Sequence, residues 1–347
     1  MTVFLRDLTT MRLGGPTREF AQALDTDELV DLVRDADARQ VPLLLLGGGS
    51  NLVVGDEGWD GITIKVATSG IDIDGTTVTA AAGVDWDFLV AQTLAEGLAG
   101  FEALSGVPGT VGGTPVQNVG AFGTLTSDLL TSVTVYDRET GETTDWANDR
   151  CGFGSHRQSV FKHTNRYVVL SVTYELRRSG QSGPMHFAEI LRRLGIEPGG
   201  TAATHDVRQA VLAARAARGS ILDPADHDTW SVGSFFINPV LAEVPAQAAL
   251  SPSYPDPLGI KLPAGWLIQQ AGFAPGYGLD WGRGTVALSR KHALAVTNRG
   301  GATTSEVMAF AAHIREGVES VFGIRLGPEC HLVNCSIDDP QVAAGTR

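Results

Sequence analysis

The chain has 347 residues, which predicts about two or three domains and leaves ample room for a hydrophobic core. Hydrophobic residues make up 43% and charged residues 19%, so the composition is globular and excludes a disordered or fibrous protein. The 39 acidic residues outnumber the 26 basic ones, and the formal net charge of −13 argues against a nucleic-acid partner. Glycine provides 42 residues, above its usual share of about 7%, which predicts many turns and close backbone approaches.

Cysteine content and hydropathy bound the cellular setting. The three cysteines are too few for the disulfide framework of a secreted domain, and no regular spacing of Cys and His predicts a metal site. The first residues lack the apolar run of a signal peptide, and the strongest apolar run, at 41–46, is far too short to cross a membrane. We therefore expect a cytoplasmic protein without bound metal and without membrane insertion.

In chain order, the first region alternates strands and helices. One apolar run and two stretches of alternating residues predict strands at 42–46, 62–66 and 77–81. Asp25 can cap a helix that starts at Thr26, and a second helix is predicted over 86–96 with Phe88 on its buried side. The strand–helix–strand order is typical of a parallel unit.

The rest of the chain predicts a mixture of both element types. From 101 to 123, glycine and proline recur too often for regular structure. The last helix begins with Thr303 and Glu306 at the spacing of a capping box, and 223–230 is predicted to be a linker. Further strands are predicted at 132–137 and 167–176, and helices at 187–194, 204–217 and 304–322. The fold class that follows is α+β with mixed sheets.

A first glycine cluster, residues 46–52, reads Leu-Gly-Gly-Gly-Ser-Asn-Leu directly after the apolar strand. It is not a dinucleotide fingerprint, which would need glycine where Leu52 stands, and it lacks the Gly-Lys-Ser/Thr of a P-loop. Such a turn can expose several backbone N–H groups in one concavity, which fits a pyrophosphate, and a side chain at Gly48 would block that approach. A plain tight turn without ligand is the alternative.

A second cluster, residues 105–123, holds six glycines and two prolines in nineteen positions. It is too apolar for a flexible linker. A buried irregular segment has many backbone polar groups to satisfy, and a large polar cofactor can satisfy them. Gln117 and Asn118 offer side-chain amides to a heterocycle, while an ordinary surface loop is the alternative.

Together the two clusters resemble the FAD-binding signatures of the UDP-N-acetylenolpyruvoylglucosamine reductase family, and residues 10–16 resemble its N-terminal motif. The resemblance implies an α+β chain with a two-subdomain FAD-binding module of the vanillyl-alcohol-oxidase type and a C-terminal α+β substrate-binding domain. The implied divisions are 1–68 for the first FAD-binding subdomain, 69–218 for the second with a covering loop near 183–195, 219–325 for the substrate-binding domain, and 326–347 for a C-terminal return segment.

The same resemblance implies the cofactor and its contacts. FAD is expected to be noncovalent, because neither glycine cluster contains a His or Cys to which a flavin could be linked. NADPH is the implied hydride donor. The residues expected to bind FAD are Gly47, Gly48, Gly49, Ser50, Asn51, Val107, Pro108, Gly109, Gly112, Gly113, Gln117, Asn118, Gly120 and Ala121.

Three later motifs are similar to the family's catalytic motifs. Residues 153–162 resemble Tyr-Arg-x-Ser-x-Phe-Lys, so Arg157 matches the catalytic arginine, and His156 stands where tyrosine is usual. Residues 232–239 resemble Gly-Ser-Phe-Phe-Lys-Asn-Pro, with Ser234 as the proton donor and Ile237 in place of lysine. Residues 326–329 resemble Leu-x-Pro-Glu, in which Glu329 matches the catalytic glutamate.

The resemblance also implies substrate contacts. Phe187 replaces a tyrosine that covers the substrate in one branch of the family, so it should close by apolar packing without a hydroxyl contact. One of Arg215 and Arg218, which end the following helix, is expected to reach the diphosphate, although cations are also favoured at the C-terminus of a helix by its dipole. Asn238, next to the serine motif, is the fourth expected substrate residue.

The implied reaction is the FAD-dependent reduction of UDP-N-acetylglucosamine enolpyruvate to UDP-N-acetylmuramate by NADPH, in peptidoglycan precursor synthesis. Arg157 would bind the substrate carboxylate, and Ser234 would give its proton to C2. A monomer is expected, with the sugar nucleotide and NADPH as its partners. Two alternatives stay open: another noncovalent FAD oxidoreductase of the same superfamily, and a flavin-binding paralogue without catalysis. The retention of Glu329 with the other two catalytic residues argues against the paralogue.

Overall fold

The computed structural model describes residues 2–154, 158–162 and 164–338, and it divides into two compact units. The C-terminal unit comprises residues up to 18, residues 49–60, and the chain from 218 onward. The central unit comprises residues 19–48 and 61–217. Both units are discontinuous in sequence, and the finer boundaries expected at 68 and 325 stay a prediction.

Helices and strands are spread over the whole described chain. The helices are α1 (Thr26–Ala38), α2 (Trp86–Ala95), α3 (Gly113–Gln117), α4 (Ala188–Leu194), α5 (Thr204–Ala217), α6 (Ala264–Gln270) and α7 (Thr304–Phe322). The strands of the first half of the chain are β1 (Thr17–Ala23), β2 (Leu43–Leu46), β3 (Leu52–Val54), β4 (Trp59–Val66), β5 (Ile71–Asp74), β6 (Thr77–Ala81), β7 (Leu98–Ala99), β8 (Gly120–Ala121), β9 (Thr124–Leu125), β10 (Leu130–Asp137), β11 (Glu142–Ala147) and β12 (Tyr167–Glu175). They are followed by β13 (Arg177–Arg178), β14 (Val240–Leu241), β15 (Tyr254–Asp256), β16 (Gly259–Lys261), β17 (Val286–Leu288), β18 (Val296–Asn298) and β19 (His331–Val333).

The first sheet has the order β1-β4-β2 and confirms the predicted parallel unit. Strands β2 and β4 run parallel, and Leu46 at the end of β2 is paired with Lys65 of β4. Helix α1 begins as predicted, because the side chain of Asp25 accepts a hydrogen bond from the N–H of Glu28. The carboxyl ends of both parallel strands therefore lie at one edge, where the first glycine cluster begins.

A five-stranded antiparallel sheet, in the order β11-β10-β12-β6-β5, forms the main body of the central unit. Its core contains an aromatic cluster in which the rings of Trp86, Phe101 and Tyr174 meet edge to face at 4.9–5.9 Å. Trp86 Nε1 donates to the carbonyl of Leu104 at 3.0 Å, and the hydroxyl groups of Tyr174 and Thr114 lie 2.7 Å apart. The aromatic cluster therefore holds the start and the middle of the second glycine cluster.

Two sequence predictions are wrong in this region. Helix α2 buries Trp86, Leu89 and Val90, whereas Phe88, predicted to be on the buried side, is 53% exposed. The first turn of the helix packs through the tryptophan, and this shifts the buried face away from Phe88. The second glycine cluster also contains regular structure, since α3 and the hairpin β8–β9 lie within or beside it.

In the C-terminal unit, α7 confirms the predicted helix and its capping box of Thr303 and Glu306. The carboxylate of Asp56 also accepts hydrogen bonds from the N–H groups of Thr304 and Ser305, at 2.7 and 3.0 Å. The core around α7 includes residues of α6, β17 and β18. Strand β19 pairs in parallel with β3, so the return segment lies beside the residues that follow the first glycine cluster.

The predicted linker at 223–230 is instead an ordered part of the C-terminal unit. Asp228, whose side chain is 2% exposed, accepts hydrogen bonds from Arg290 Nε at 2.8 Å and from Arg299 Nη1 at 2.6 Å. Burial tends to raise the pKa of Asp228, but the hydrogen bonds and charges of the two arginines hold it below its ordinary value. The polar residues of this stretch predict a linker, but Asp228 is buried by arginines 62 and 71 residues away along the chain, which a local pattern does not reveal.

We expect Asp228→Asn to lower the free energy of unfolding by about 2 kcal/mol, because two arginines lose a charged acceptor. The folded-state pKa of Asp228 lies below that of the unfolded chain, so this contribution is fully present above about pH 4 and declines in more acid solution. Urea unfolding of both proteins at several pH values measures it. Asp280→Asn, at an exposed carboxylate, is the control. Equal stability of the Asp228 variant and the unmodified protein at pH 7 would contradict the prediction.

Candidate active site

The first glycine turn, residues 47–51, carries backbone donors that the protein does not use. Within the described residues, the N–H groups of Gly48 and Gly49 form no hydrogen bond. Gly49 has a φ of 63°, and a Cβ there would lie 2.1 Å from the carbonyl oxygen of Leu8, so only glycine fits. Two adjacent unpaired donors at the carboxyl edge of a parallel sheet are the arrangement that binds a phosphate group.

Within the central unit, this turn packs closely on the second glycine cluster, residues 105–123, which is called the second glycine segment from here on. A Cβ on Gly48 would lie 2.5 Å from the Cα of Gly109, and a Cβ on Gly47 would lie 2.7 Å from Thr110 Oγ1. Glycine is required at 48 because the two backbones touch there, whereas at 47 the close neighbour is the side chain of Thr110. This reason differs from the expected one, in which a side chain at Gly48 would obstruct the ligand.

Several backbone groups of the second glycine segment are hydrogen-bonded to a neighbouring stretch of the protein. Val111 and Gly112 donate their N–H groups to the carbonyls of Val84 and Ala82, at 2.9 and 2.8 Å, and Gly109 O accepts from the N–H of Trp86 at 3.1 Å. The segment thus lies along the connection between β6 and α2. At these positions the protein itself satisfies the backbone groups that a cofactor was expected to be able to satisfy.

What remains for a ligand lies at α3. The Nε2 atom of Gln117 is buried and has no hydrogen-bond partner among the described residues, which predicts a polar group there that the protein does not supply. A Cβ on Gly113 would meet no heavy atom within 4 Å. Unlike Gln117, Asn118 uses its side-chain oxygen within the protein. It ends α3 with a φ of 39°, and its Oδ1 accepts a hydrogen bond from the N–H of Ser127 at 3.1 Å. These features fit a cofactor that approaches the exposed side of α3.

The start of the second glycine segment is held by one carboxylate and two arginines. Asp87 accepts a hydrogen bond from the N–H of Gly106 at 2.6 Å and two from Arg208, at 2.6 and 2.8 Å. Burial tends to raise the pKa of Asp87, but the hydrogen bonds from Arg208 and Gly106 hold it below its ordinary value. Arg215 Nε donates to the carbonyl of Gly106 at 2.9 Å. Helix α5 therefore positions the segment, and the diphosphate contact expected of Arg215 stays a prediction.

Ser234 and Glu329 are brought together within the C-terminal unit. The residues after Ser234 pair with the return segment, because Phe235 O accepts from the N–H of Glu329 at 2.8 Å. The N–H of Ile237 donates to the carbonyl of Gly327 at 3.0 Å, which closes the pairing on its other side. Ser234 is half-buried, and its Oγ has no hydrogen-bond partner within the part of the chain that the structure describes. The chain segments that carry the serine and the glutamate are thus paired through an isolated antiparallel bridge between Phe236 and Pro328.

The return segment also joins this pair to the end of the glycine turn. The N–H of His331 donates to the carbonyl of Asn51 at 2.9 Å, only two residues beyond Glu329. Strands β19 and β3 continue the contact from there. The C-terminal unit therefore groups the last residues of the glycine turn with both predicted catalytic side chains that the structure describes.

Two other predicted substrate residues lie in the C-terminal unit. Arg218 is close to His292, since burial and then the charge of Arg218 hold the pKa of that histidine below its ordinary value. The ring is thus neutral near pH 7. Asn238 Oδ1 accepts from the N–H of Ala264 at 2.9 Å, which leaves its NH2 group for a ligand. Their substrate contacts stay predictions.

The predicted covering loop belongs to the central unit. Phe187, which is 38% exposed, meets the ring of Phe122 edge to face with centroids 5.1 Å apart. Phe122 has a φ of 48° and directly follows the last predicted FAD residue, Ala121. Helices α4 and α5 behind them form a small separate core. The covering segment is thus packed on the end of the second glycine segment.

Arg157 and His156 lie outside the described residues, so the role of Arg157 stays a prediction. The stretch that follows is tied to α3, since Ser159 Oγ donates to the carbonyl of Val116 at 2.7 Å. Within the described residues, no group of three or more His, Cys, Asp or Glu side chains is arranged to hold a metal ion. No helix of the described chain is long and apolar enough to span a membrane.

Two protein families match the chain in succession. The FAD binding domain matches residues 18–146, and the C-terminal domain of UDP-N-acetylenolpyruvoylglucosamine reductase matches residues 223–333. The UDP-N-acetylenolpyruvoylglucosamine reductase of Saccharopolyspora erythraea is 47% identical over 347 residues, which cover 95% of this chain and 94% of that one. The reductase of Nocardia farcinica is 49% identical and covers 94% of this chain and 87% of its own.

The chain belongs to the UDP-N-acetylenolpyruvoylglucosamine reductase family. The fold agrees, because the structure of UDP-N-acetylenolpyruvylglucosamine reductase from Thermus caldophilus matches with a TM-score of 0.66 at 24% identity, over 96% of this chain and 98% of that one. The predicted fold class is confirmed: an FAD-binding domain is followed by the C-terminal domain of this reductase family.

Sequence reasoning missed Lys65, Asp87 and Arg208 as residues that shape the site. Each contacts a backbone group or a side chain far away along the chain, so no local motif marks them. The one available signal was for Lys65, because it is the one cation of a mostly buried strand that ends beside the glycine turn. The predicted roles of the FAD-binding residues stay predictions.

We expect Gly48→Ala and Gly113→Ala to act differently on the protein without FAD. The first methyl group would overlap Gly109 and should lower the free energy of unfolding by about 1–3 kcal/mol, because the backbones must separate. The second meets open space and should leave stability unchanged within about 0.5 kcal/mol. Urea unfolding of the apo-proteins compares them, and equal losses in both would refute the packing argument.

Proposed function

We propose that the chain reduces UDP-N-acetylglucosamine enolpyruvate to UDP-N-acetylmuramate, with FAD as cofactor and NADPH as electron donor, in peptidoglycan precursor synthesis. The observation that carries the proposal is the backbone pairing of Phe235 with Glu329, which brings together the chain segments of Ser234 and Glu329, with Asn51 of the glycine turn beyond. The relatives named above are named as this reductase, and their similarity extends over nearly the full length of the chain. A monomer acting in the cytoplasm stays a prediction.

FAD fits the residues that the structure leaves uncommitted. Unpaired N–H groups at Gly48 and Gly49 suit its pyrophosphate, and the buried Nε2 of Gln117 suits a polar edge of a heterocycle. When bound, FAD would supply the two-electron transfer between NADPH and the enolpyruvyl double bond. We propose noncovalent attachment, so that acid precipitation should release all of the flavin.

Ser234 is proposed to give its proton to C2 of the enolpyruvyl group. Negative charge develops at that carbon during reduction, and a nearby O–H group stabilises it by transferring a proton. The Oγ atom is suited to this role because no partner among the described residues holds its proton elsewhere. The left-handed Gly233 before it, with a φ of 75°, turns the chain sharply at this serine.

Arg157 and Glu329 are proposed to stabilise the same charge. A guanidinium group presents N–H donors in a fixed fork that matches the substrate carboxylate. Glu329 can assist only as a neutral acid or by orienting another donor, because an ionised carboxylate would repel the developing charge. The hydrogen bond from its backbone N–H to the carbonyl of Phe235 holds its backbone beside the residue that follows the serine.

The activity is tested on the purified holoprotein by its visible spectrum under anaerobic conditions. NADPH should bleach the flavin absorbance, and the enolpyruvyl sugar nucleotide should restore it. Bleaching without recovery would indicate another oxidoreductase of the superfamily. A flavin spectrum that NADPH does not bleach would indicate a flavin-binding protein without catalysis.

We expect Ser234→Ala to separate the two half-reactions. Flavin reduction by NADPH should proceed at the normal rate, because it needs no proton at C2. Reoxidation by the sugar nucleotide should slow by at least about 10²–10⁴-fold, the usual contribution of a positioned proton donor. Stopped-flow absorbance measures both rates, and the affinity for the sugar nucleotide should change little.

The control is Ser251→Ala, because Ser251 Oγ donates only to the adjacent Pro252 carbonyl, at 3.0 Å. It should leave both half-reactions unchanged. Equal slowing of both half-reactions in the Ser234 variant, or of neither, would show that the serine is structural.

A further inference from the structure

Lys65 is the one cation of β4, a mostly buried strand that ends at the edge where the glycine turn begins. It is the penultimate residue of β4, and its backbone is paired with Leu46, the last residue of the parallel strand β2. Its Nζ donates a hydrogen bond to the carbonyl of Gly47. Ligands of open parallel sheets bind outside the carboxyl ends of the strands, so this ammonium group lies at the edge where a ligand is expected.

The charge of Lys65 is not matched by a carboxylate. Burial is the one influence on the pKa of Lys65, which it lowers, and no charged neighbour among the described residues acts on it. Other partly buried cations of the central unit do have acidic partners: Arg138 with Asp37, and Arg208 with Asp87. A half-buried ammonium group that meets only a neutral carbonyl is costly unless an anion comes to it.

We propose that the ammonium group of Lys65 binds the pyrophosphate of FAD where it meets the glycine turn at Gly47 and Gly48. This deepens the proposed function and rests on it, because it assumes that FAD occupies the turn. The unpaired N–H of Gly48 would offer a neutral donor to a phosphate oxygen, and Lys65 would offer a full positive charge beside it. The bond to Gly47 O holds the ammonium group at the turn before the cofactor arrives.

The charge is separable from the hydrogen bond by substitution. Lys65→Arg keeps the charge, Lys65→Gln keeps a donor for Gly47 O without the charge, and Lys65→Met keeps neither. The matched control is Arg178→Gln, which removes one positive charge from an exposed side chain that donates to the carbonyls of Glu96 and Gly75.

FAD binding to the apo-proteins, followed by quenching of flavin fluorescence at several salt concentrations, tests the proposal without using activity. Lys65→Gln and Lys65→Met should both weaken FAD binding about 10- to 100-fold, as expected for loss of a charged hydrogen bond. Lys65→Arg should restore most of the affinity. Binding to the unmodified protein should also weaken more steeply with added salt than binding to Lys65→Gln.

Each other outcome is decisive. If Lys65→Gln binds FAD as tightly as the unmodified protein and Lys65→Met does not, the lysine only shapes the turn, and the proposal is wrong. Full affinity in every variant, or an equal loss in Arg178→Gln, overturns it as well. Failure of the unmodified apo-protein to bind FAD would refute the proposed function itself. Thermal unfolding of each apo-variant separates weak binding from loss of the fold.

Discussion

The backbone contact between the two glycine segments is the constraint on which the central unit's part of the site depends. At Gly48 and Gly109 the main chains approach so closely that a single Cβ would lie 2.5 Å from its neighbour. The contact holds the carboxyl edge of β2 and β4 against a segment that is itself bonded to 82–86 and clamped by Asp87. The protein's own hydrogen bonds thus shape this surface in advance, so that a ligand need not order it, and binding costs less conformational entropy.

In the C-terminal unit, the segments of the site are held together by backbone hydrogen bonds, and not by a close approach that only glycine permits. The return segment donates to the carbonyl of Phe235 and, two residues further on, to that of Asn51, so one short stretch of chain connects the segment of the serine, the glutamate and the glycine turn. The division between the units falls within that turn, between Gly48 and Gly49. Residues adjacent in sequence there belong to different compact units, whereas the family resemblance places the whole turn in one subdomain over 1–68.

Local signals predicted the elements well, and long-range partners account for the errors. Helix α7 was predicted with the correct ends because its capping box and Gly323 are local features. Phe88 was misplaced because the aromatic cluster around Trp86, which no periodicity reveals, sets the buried face of α2. The stretch containing Asp228 was misjudged for the same reason: a polar residue buried by distant arginines has the local appearance of a linker.

Two departures from the family motifs lie where the local contacts of the structure do not need the side-chain groups that are missing. Ile237 replaces a lysine, yet its N–H pairs with Gly327 O, a contact that any residue other than proline could form. Phe187 replaces a tyrosine, yet the edge-to-face contact with Phe122 requires the ring and not the hydroxyl. A substitution at either position changes what the side chain offers to a ligand without changing where Ser234 and the covering segment lie. At these two positions, the atoms that fix the local structure are therefore different from the polar groups that the side chain would offer to a ligand. The polar groups can vary while the local geometry is kept.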